Sequence, residues 1–207
     1  MEHSRIRIEP AERTSLINEY YFSSKLKEVA SLRAQGKDIV NLGIGSPDLS
    51  PSDITIETLA NCAVQENVHG YQSYTGTDEL RRAFAAWYFN QYGVILNPEN
   101  EILPLMGSKE GIMHISMAFL NPSDRVLVPD PGYPAYRSAT LLAGGNVSFY
   151  KLKQSNSWYP DLNELEQYDL SNVKIMWVNY PHMPTGQKAS MKVYDSLIKL
   201  AHKYNIL

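Results

Sequence analysis

The chain has 207 residues, of which 43% are hydrophobic and 20% charged, and its formal net charge is -3 at pH 7. That length fits one good-sized domain, or one domain plus part of another. There is no basic excess of the kind a nucleic-acid binder carries, no apolar run near the roughly 20 residues of a membrane helix, and no apolar core in the polar start MEHSRIRIEPAERTS to make a secretory signal. The one cysteine, Cys62, can build neither an internal disulfide nor a zinc cluster, so the expectation is a reducing cytoplasmic setting and no metal.

In chain order, residues 10–34 read as an opening helix that carries Leu16, Ile17, Leu26, Val29 and Leu32 and ends at Gly36. Ile39 to Leu42 reads as a short strand. A loop through Gly45, Pro47 and Asp48 follows, then a helix over 54–66. The segment 77–92 is the clearest amphipathic helix. Thr77 can cap it, Asp78 and Glu79 suit its positive end, and Leu80, Phe84, Trp87 and Tyr88 share a face before Gly93 stops it. Glu101 to Met106 is strand-like, and Ser108 to Leu120 is helical, with Ile112, Ile115 and Phe119 on one side and Asn121-Pro122 as terminator.

Arg125 to Val128 reads as a strand, 134–143 as a helix, Val147 to Leu152 as a strand and Leu162 to Glu166 as a short helix. The apolar run Val173 to Val178 suggests a strand buried on both faces. A final helix over about 190–204 stacks Tyr194, Leu197, Ile198 and Ala201. No internal repeat or low-complexity stretch interrupts this order. The alternation after residue 100 predicts an α/β fold with a mostly parallel sheet and flanking helices. Tyr204 to Leu207 resembles the start of another strand, and an unpaired sheet edge is a poor place for a domain to stop, so truncation is expected.

Four loops carry the chemistry. Gly107-Ser108-Lys109-Glu110-Gly111 lies between a strand and a helix, where free N–H groups and the helix dipole favour an anion such as phosphate. It matches neither the P-loop nor the dinucleotide fingerprint. Pro129-Asp130-Pro131-Gly132-Tyr133-Pro134-Ala135-Tyr136 follows the next strand, on the carboxyl edge where open α/β sheets bind ligands, and the Tyr133 ring held between two prolines can stack on a flat ligand. Asn179-Tyr180-Pro181-His182-Met183-Pro184-Thr185-Gly186 follows the strand over 173–178, and a polar Asn179 after apolar residues must find partners or line a cleft. Tyr71 to Gly76 precedes the helix over 77–92. Taken singly, each loop is equally explained as a plain turn or as packed aromatics.

Taken together, in order and spacing, they resemble the class I/II aminotransferases, which depend on pyridoxal 5'-phosphate (PLP). The wording GSKEGI and NYPH-x-PTG is most like the branch that includes LL-diaminopimelate aminotransferases. The resemblance implies the fold type I architecture of PLP-dependent transferases, with residues 1–50 as N-terminal arm and part of a small domain, and 51–207 as the N-terminal portion of the large cofactor-binding domain. It implies that Ser108 and Lys109 cradle the cofactor phosphate and that Tyr133 stacks on its ring. Gly45 would lie on the substrate rim, and Tyr71 would reach the phosphate of the neighbouring subunit in a homodimer. The implied substrates are an amino acid and a 2-oxo acid.

Two departures stand out. Met183 occupies the position where the family has an asparagine that bonds the cofactor's phenolic oxygen, so Asn179 or His182 has to substitute, or the cofactor is tuned differently. The family's Schiff-base lysine falls beyond Leu207, so no catalytic residue is assigned here. Lys188, Lys192 and Lys199 read as solvated surface. A PLP-dependent lyase or synthase of the same fold, or a non-catalytic truncated fragment, are the alternatives, and the isolated chain is expected to be inactive.

Overall fold

The computed structural model describes residues 8–43, 45 and 47–207. The chain divides into two compact units. One comprises the residues up to Asn18 together with Met106–Leu207, and the other is Glu19–Leu105.

The Glu19–Leu105 unit contains α1 (Tyr21–Ala34), α2 (Asp53–Ala63) and α3 (Asp78–Tyr92). α3 forms as its sequence dictates. The Thr77 hydroxyl accepts the Leu80 N–H at 3.3 Å, and Gly93 closes the helix at φ 67°. Arg81, in its first turn, is buried, donates to Asp78 within the helix at 2.7 Å, and ties the helix to the following turn by donating to the Pro98 carbonyl at 2.7 Å. Leu80, Phe84, Trp87 and Tyr88 do share a face, but that face is exposed.

Three sequence expectations fail around this unit. The opening helix over 10–34 is broken: a 3-10 turn covers Glu12–Leu16, and α1 starts only at Tyr21. Ile39–Leu42 and Glu101–Met106 form no strand. Neither segment finds a ladder partner among the described residues, and an extended segment without one is not a strand.

The other unit is built on a three-stranded parallel sheet in the order β2-β1-β3, with β1 (Arg125–Asp130) central, β2 (Asn146–Lys151) on one flank and β3 (Val173–Met176) on the other. The pleat of β1 sends alternate side chains to two cores. Val126 and Val128 join Ile112 of α4 (Ser108–Phe119), Tyr136 and Ala139 of α5 (Pro134–Leu142), and Ile175. Leu127 joins Tyr150, Leu152, Leu165 of α6 (Leu162–Leu165) and Leu200 of α7 (Met191–Tyr204). Each such fully buried aliphatic side chain contributes roughly 1.5–3 kcal/mol.

β3 is less regular than its apolar run suggests. Its register against β1 slips between Arg125↔Val173 and Val126↔Ile175. Val173 therefore faces the Leu127 core and Ile175 the Val126 core, as burial on both faces requires. Lys174, at the slip, is exposed, and the strand ends at Met176. Beyond α7, Leu207 bridges to the outer side of β3: its N–H donates to the Lys174 carbonyl at 3.0 Å and its carbonyl accepts the Met176 N–H at 2.9 Å. Among the described residues no helix is long and apolar enough to cross a membrane.

Candidate functional site

Three of the predicted loops meet the sheet unit. The first is the turn into α4. Gly107 takes φ 106° and ψ 158°, a conformation that side chains exclude, and it gives the helix no side-chain cap. The Glu110 N–H donates to the Gly107 carbonyl at 3.2 Å, and the amides ahead of it stand at the helix start, where an anion site needs them. Lys109 stands in this first turn next to the acidic Glu110. Ser108 and Lys109 are both exposed. The Glu110 carboxylate turns back instead, accepting the Met106 N–H at 2.6 Å, and so fixes the approach of the chain to the turn.

The second loop leaves β1 at Asp130 and delivers Tyr133 as the cap residue of α5. Gly132 is pressed against the Pro129 carbonyl oxygen, so the loop is folded tightly on itself and a side chain at 132 would collide with the backbone. Lys151, at the end of β2, forms an ion pair with Asp130. The Tyr133 ring packs edge-on to Tyr136 at 5.7 Å, and Tyr136 stacks on Trp177 at 5.0 Å and 9°. Burial, and secondarily the Tyr133 hydroxyl, raises the Tyr136 phenol above its ordinary value. The Lys109 ammonium lies 5.9 Å from the centre of the Tyr133 ring. The phosphate-type turn and the aromatic loop, far apart in sequence, thus meet on the carboxyl side of the sheet.

The third loop follows β3. Asn179 uses its Oδ1 to accept the Met183 N–H at 3.0 Å, which leaves its Nδ2 as a donor with no hydrogen bond among the described residues. Met183 is 55% exposed and offers only a thioether. His182 points the other way. It is 3% exposed, with Nδ1 2.8 Å from the Thr185 hydroxyl. Its Nε2 is buried with no hydrogen-bond partner among the described residues. Burial pulls the imidazole below its ordinary pKa, and the Pro131 carbonyl offsets part of that. Of the two substitutes for the missing asparagine, Asn179 therefore has a donor to give at the partly exposed end of β3, whereas the His182 ring is buried.

The remaining candidates lie in the Glu19–Leu105 unit. Tyr71 is fully exposed, and Gly45 is exposed with open space around it. Ile44 and Ser46, on either side of Gly45, lie outside the described residues. Cys62 is a free, exposed thiol, and the described residues contain no cluster of metal-ligand side chains. Lys188, Lys192 and Lys199 are exposed, as the sequence suggests. Sequence reasoning did not single out Trp177, whose buried Nε1 has no partner among the described residues, and it gave Tyr136, the last residue of the 129–136 loop, no role beneath Tyr133. The only signal available was an aromatic residue at the end of each apolar segment.

A parallel α/β sheet with an uncapped helix start and an aromatic loop side by side on its carboxyl edge has the parts of an anion- and ring-binding edge. The sequence profile of the aminotransferase class I and II family matches residues 37–207, and the chain belongs to that family. Similar proteins include the LL-diaminopimelate aminotransferase of Syntrophobacter fumaroxidans, 39% identical over 197 residues, which are 95% of this chain and 51% of that protein. The enzyme of the same name from Dehalococcoides mccartyi is 41% identical over 187 residues, covering 90% of this chain and 48% of its own length. Among solved structures, apo-BacF from Bacillus subtilis aligns with a TM-score of 0.90 at 33% identity, covering 97% of this chain and 51% of that one. Aspartate aminotransferase from Thermotoga maritima aligns at 0.87 and 27%, covering 95% and 52%. The chain spans about half the length of the relatives it matches.

Proposed function

We propose that this chain is the cofactor-holding part of a PLP-dependent aminotransferase that exchanges an amino group between an amino acid and a 2-oxo acid. The observation that carries this reading is the meeting of Lys109 with the Tyr133 ring at 5.9 Å. A phosphate bound at the Ser108–Lys109 turn would place an attached flat ring within reach of Tyr133. The residues present fit the cofactor at both ends. The helix start has no side-chain cap and a cation in its first turn, and the aromatic residue is backed by Tyr136 and Trp177.

PLP, when bound, supplies the electron sink for bond changes at the substrate's α-carbon. Ser108 and Lys109 hold its phosphate through amide donors and charge. Tyr133 fixes the plane of the ring. Asn179 Nδ2 is the donor on the 179–186 loop that can face the ring's phenolic oxygen in place of the side chain at Met183. Gly45 belongs to the substrate rim, and Tyr71 reaches the phosphate held by the neighbouring subunit of a homodimer. The cytoplasm is the proposed compartment. Proton transfer is not assigned to Lys188, Lys192 or Lys199, which are all exposed.

The LL-diaminopimelate aminotransferases among the relatives make a diamino dicarboxylic acid the first amino donor to assay. The binding claim is tested by titrating the chain with PLP and following its tryptophan fluorescence, with inorganic phosphate as competitor. Saturable quenching that phosphate reverses is expected. Quenching that phosphate leaves unchanged would remove the phosphate cup from the account.

A further inference from the structure

The segment that leaves β3 is pinned by three tyrosine hydroxyls, each of which donates to a backbone carbonyl. Tyr150, in β2, reaches across β1 and donates to the Trp177 carbonyl at 2.7 Å. Tyr180 donates to the Trp158 carbonyl at 2.8 Å. Tyr159 donates to the Lys188 carbonyl at 2.9 Å and accepts from Gln187 Nε2 at 2.7 Å, so its hydroxyl is used both as donor and as acceptor. β2 and β3 are not neighbours in the sheet, and these bonds join the segments that follow them.

The 153–159 turn is the stiff side of this junction. Ser157 and Trp158 both take left-handed backbone, at φ 49° and 57°, a region that bulky side chains avoid. Such a conformation persists where its surroundings over-determine it. Here the Trp158 N–H donates to the Lys153 carbonyl and the Tyr159 N–H to the Asn156 carbonyl, each at 2.9 Å, and Trp158 packs on the Leu127 core. The 179–188 segment closes on itself instead. The Met183 N–H donates to Asn179 Oδ1 at 3.0 Å, the Gly186 N–H to the His182 carbonyl at 2.7 Å, and the His182 N–H to the Gln187 carbonyl at 2.8 Å. Tyr180 at one end of this closed loop, and Gln187 and Lys188 at the other, attach it to the stiff turn.

We propose that Tyr159 is a positioning residue for Asn179: its hydroxyl, together with that of Tyr180, seats the 179–188 loop on the 153–159 turn and so sets where the Asn179 side chain stands. The meaning of that seat for cofactor binding rests on the function proposed above, but the seat itself can be tested without cofactor. Tyr159→Phe keeps the ring and removes the hydroxyl. In nitrogen–proton spectra of the 207-residue chain, with the Asn179 side-chain signals assigned by their loss in Asn179→Ala, Tyr159→Phe should shift the Asn179 side-chain amide and the Met183 N–H that it holds. Shifts confined to residues 157–161 and 187–189 overturn the proposal.

Should Tyr159→Phe fail to fold, Gln187→Met serves, because it removes the partner of the same hydroxyl. It should move the same Asn179 and Met183 signals, and unmoved signals contradict the arrangement. In PLP titrations, Tyr159→Phe should bind about two- to tenfold more weakly, the effect of one lost hydrogen bond, and adding it to Asn179→Ala should cost clearly less than it does alone. Fully additive losses overturn the positioning role. Absence of PLP binding in the unaltered chain refutes the proposed function, while the Asn179 and Met183 signals still decide the seat.

Discussion

Gly107→Ala isolates the backbone contribution of the anion turn. Gly107 holds φ 106° and ψ 158°, and a Cβ built there meets no other atom within 4 Å. Any loss of stability therefore comes from the dihedrals and not from a clash. A side chain in that region costs about 1–3 kcal/mol. Alanine also narrows the unfolded ensemble, which returns about 0.4–1 kcal/mol. The net loss is about 1–2 kcal/mol, and with a urea slope near 2 kcal/mol per molar the unfolding midpoint should fall by about 0.5–1 M. The assay is urea unfolding followed by tryptophan fluorescence, repeated with inorganic phosphate. Phosphate at ten times its dissociation constant should stabilise the unaltered chain by about 1.4 kcal/mol, and the variant by clearly less, because the amides no longer converge. An unchanged midpoint together with an unchanged phosphate effect would refute the argument that this conformation makes the cup.

Other variants probe separate parts of the structure. Tyr133→Ala should weaken PLP binding roughly two- to tenfold, from an aromatic contact of about 0.5–1.5 kcal/mol, with calorimetric titration as the check. Leu127→Ala empties a site that is 2% exposed in the central strand and should cost about 2–5 kcal/mol in urea unfolding. Thr77→Ala removes the cap of α3 and should cost about 1 kcal/mol, visible as a loss of helical circular dichroism on mild heating. Burial holds His182 neutral and lowers its folded-state pKa, so the unfolded chain takes up this proton first as pH falls. The stability that neutral His182 contributes is complete above its unfolded pKa of about 6.5 and is lost as pH drops from there through the folded value. Urea midpoints between pH 7.5 and about 5 should therefore fall more for the unaltered chain than for His182→Gln; parallel curves would contradict the assignment.

What was legible in the sequence is what local chemistry fixes. Thr77 and Gly93 bracket α3 because a cap and a left-handed glycine act within one turn. β1, β2 and β3 emerge because they pair with one another. The break before Tyr21 was hidden, since Ile17, Asn18, Glu19 and Tyr20 include no proline or glycine and the apolar spacing continues through them. The two failed strands, Ile39–Leu42 and Glu101–Met106, show the opposite limit: an apolar stretch becomes a strand only where a partner supplies the ladder. At the site, each loop was readable by its glycines, prolines and aromatics. The closeness of Lys109 to Tyr133 and of Tyr159 to Gln187 was not, because both are products of how the sheet brings distant loops to one edge.

A crystal structure of the chain grown with PLP tests the central claim most directly. The account predicts the phosphate on the first-turn amides of α4 at Ser108 and Lys109, with the ring lying on Tyr133. Cofactor density that leaves that turn bare, or a ring that lies away from Tyr133, would contradict it.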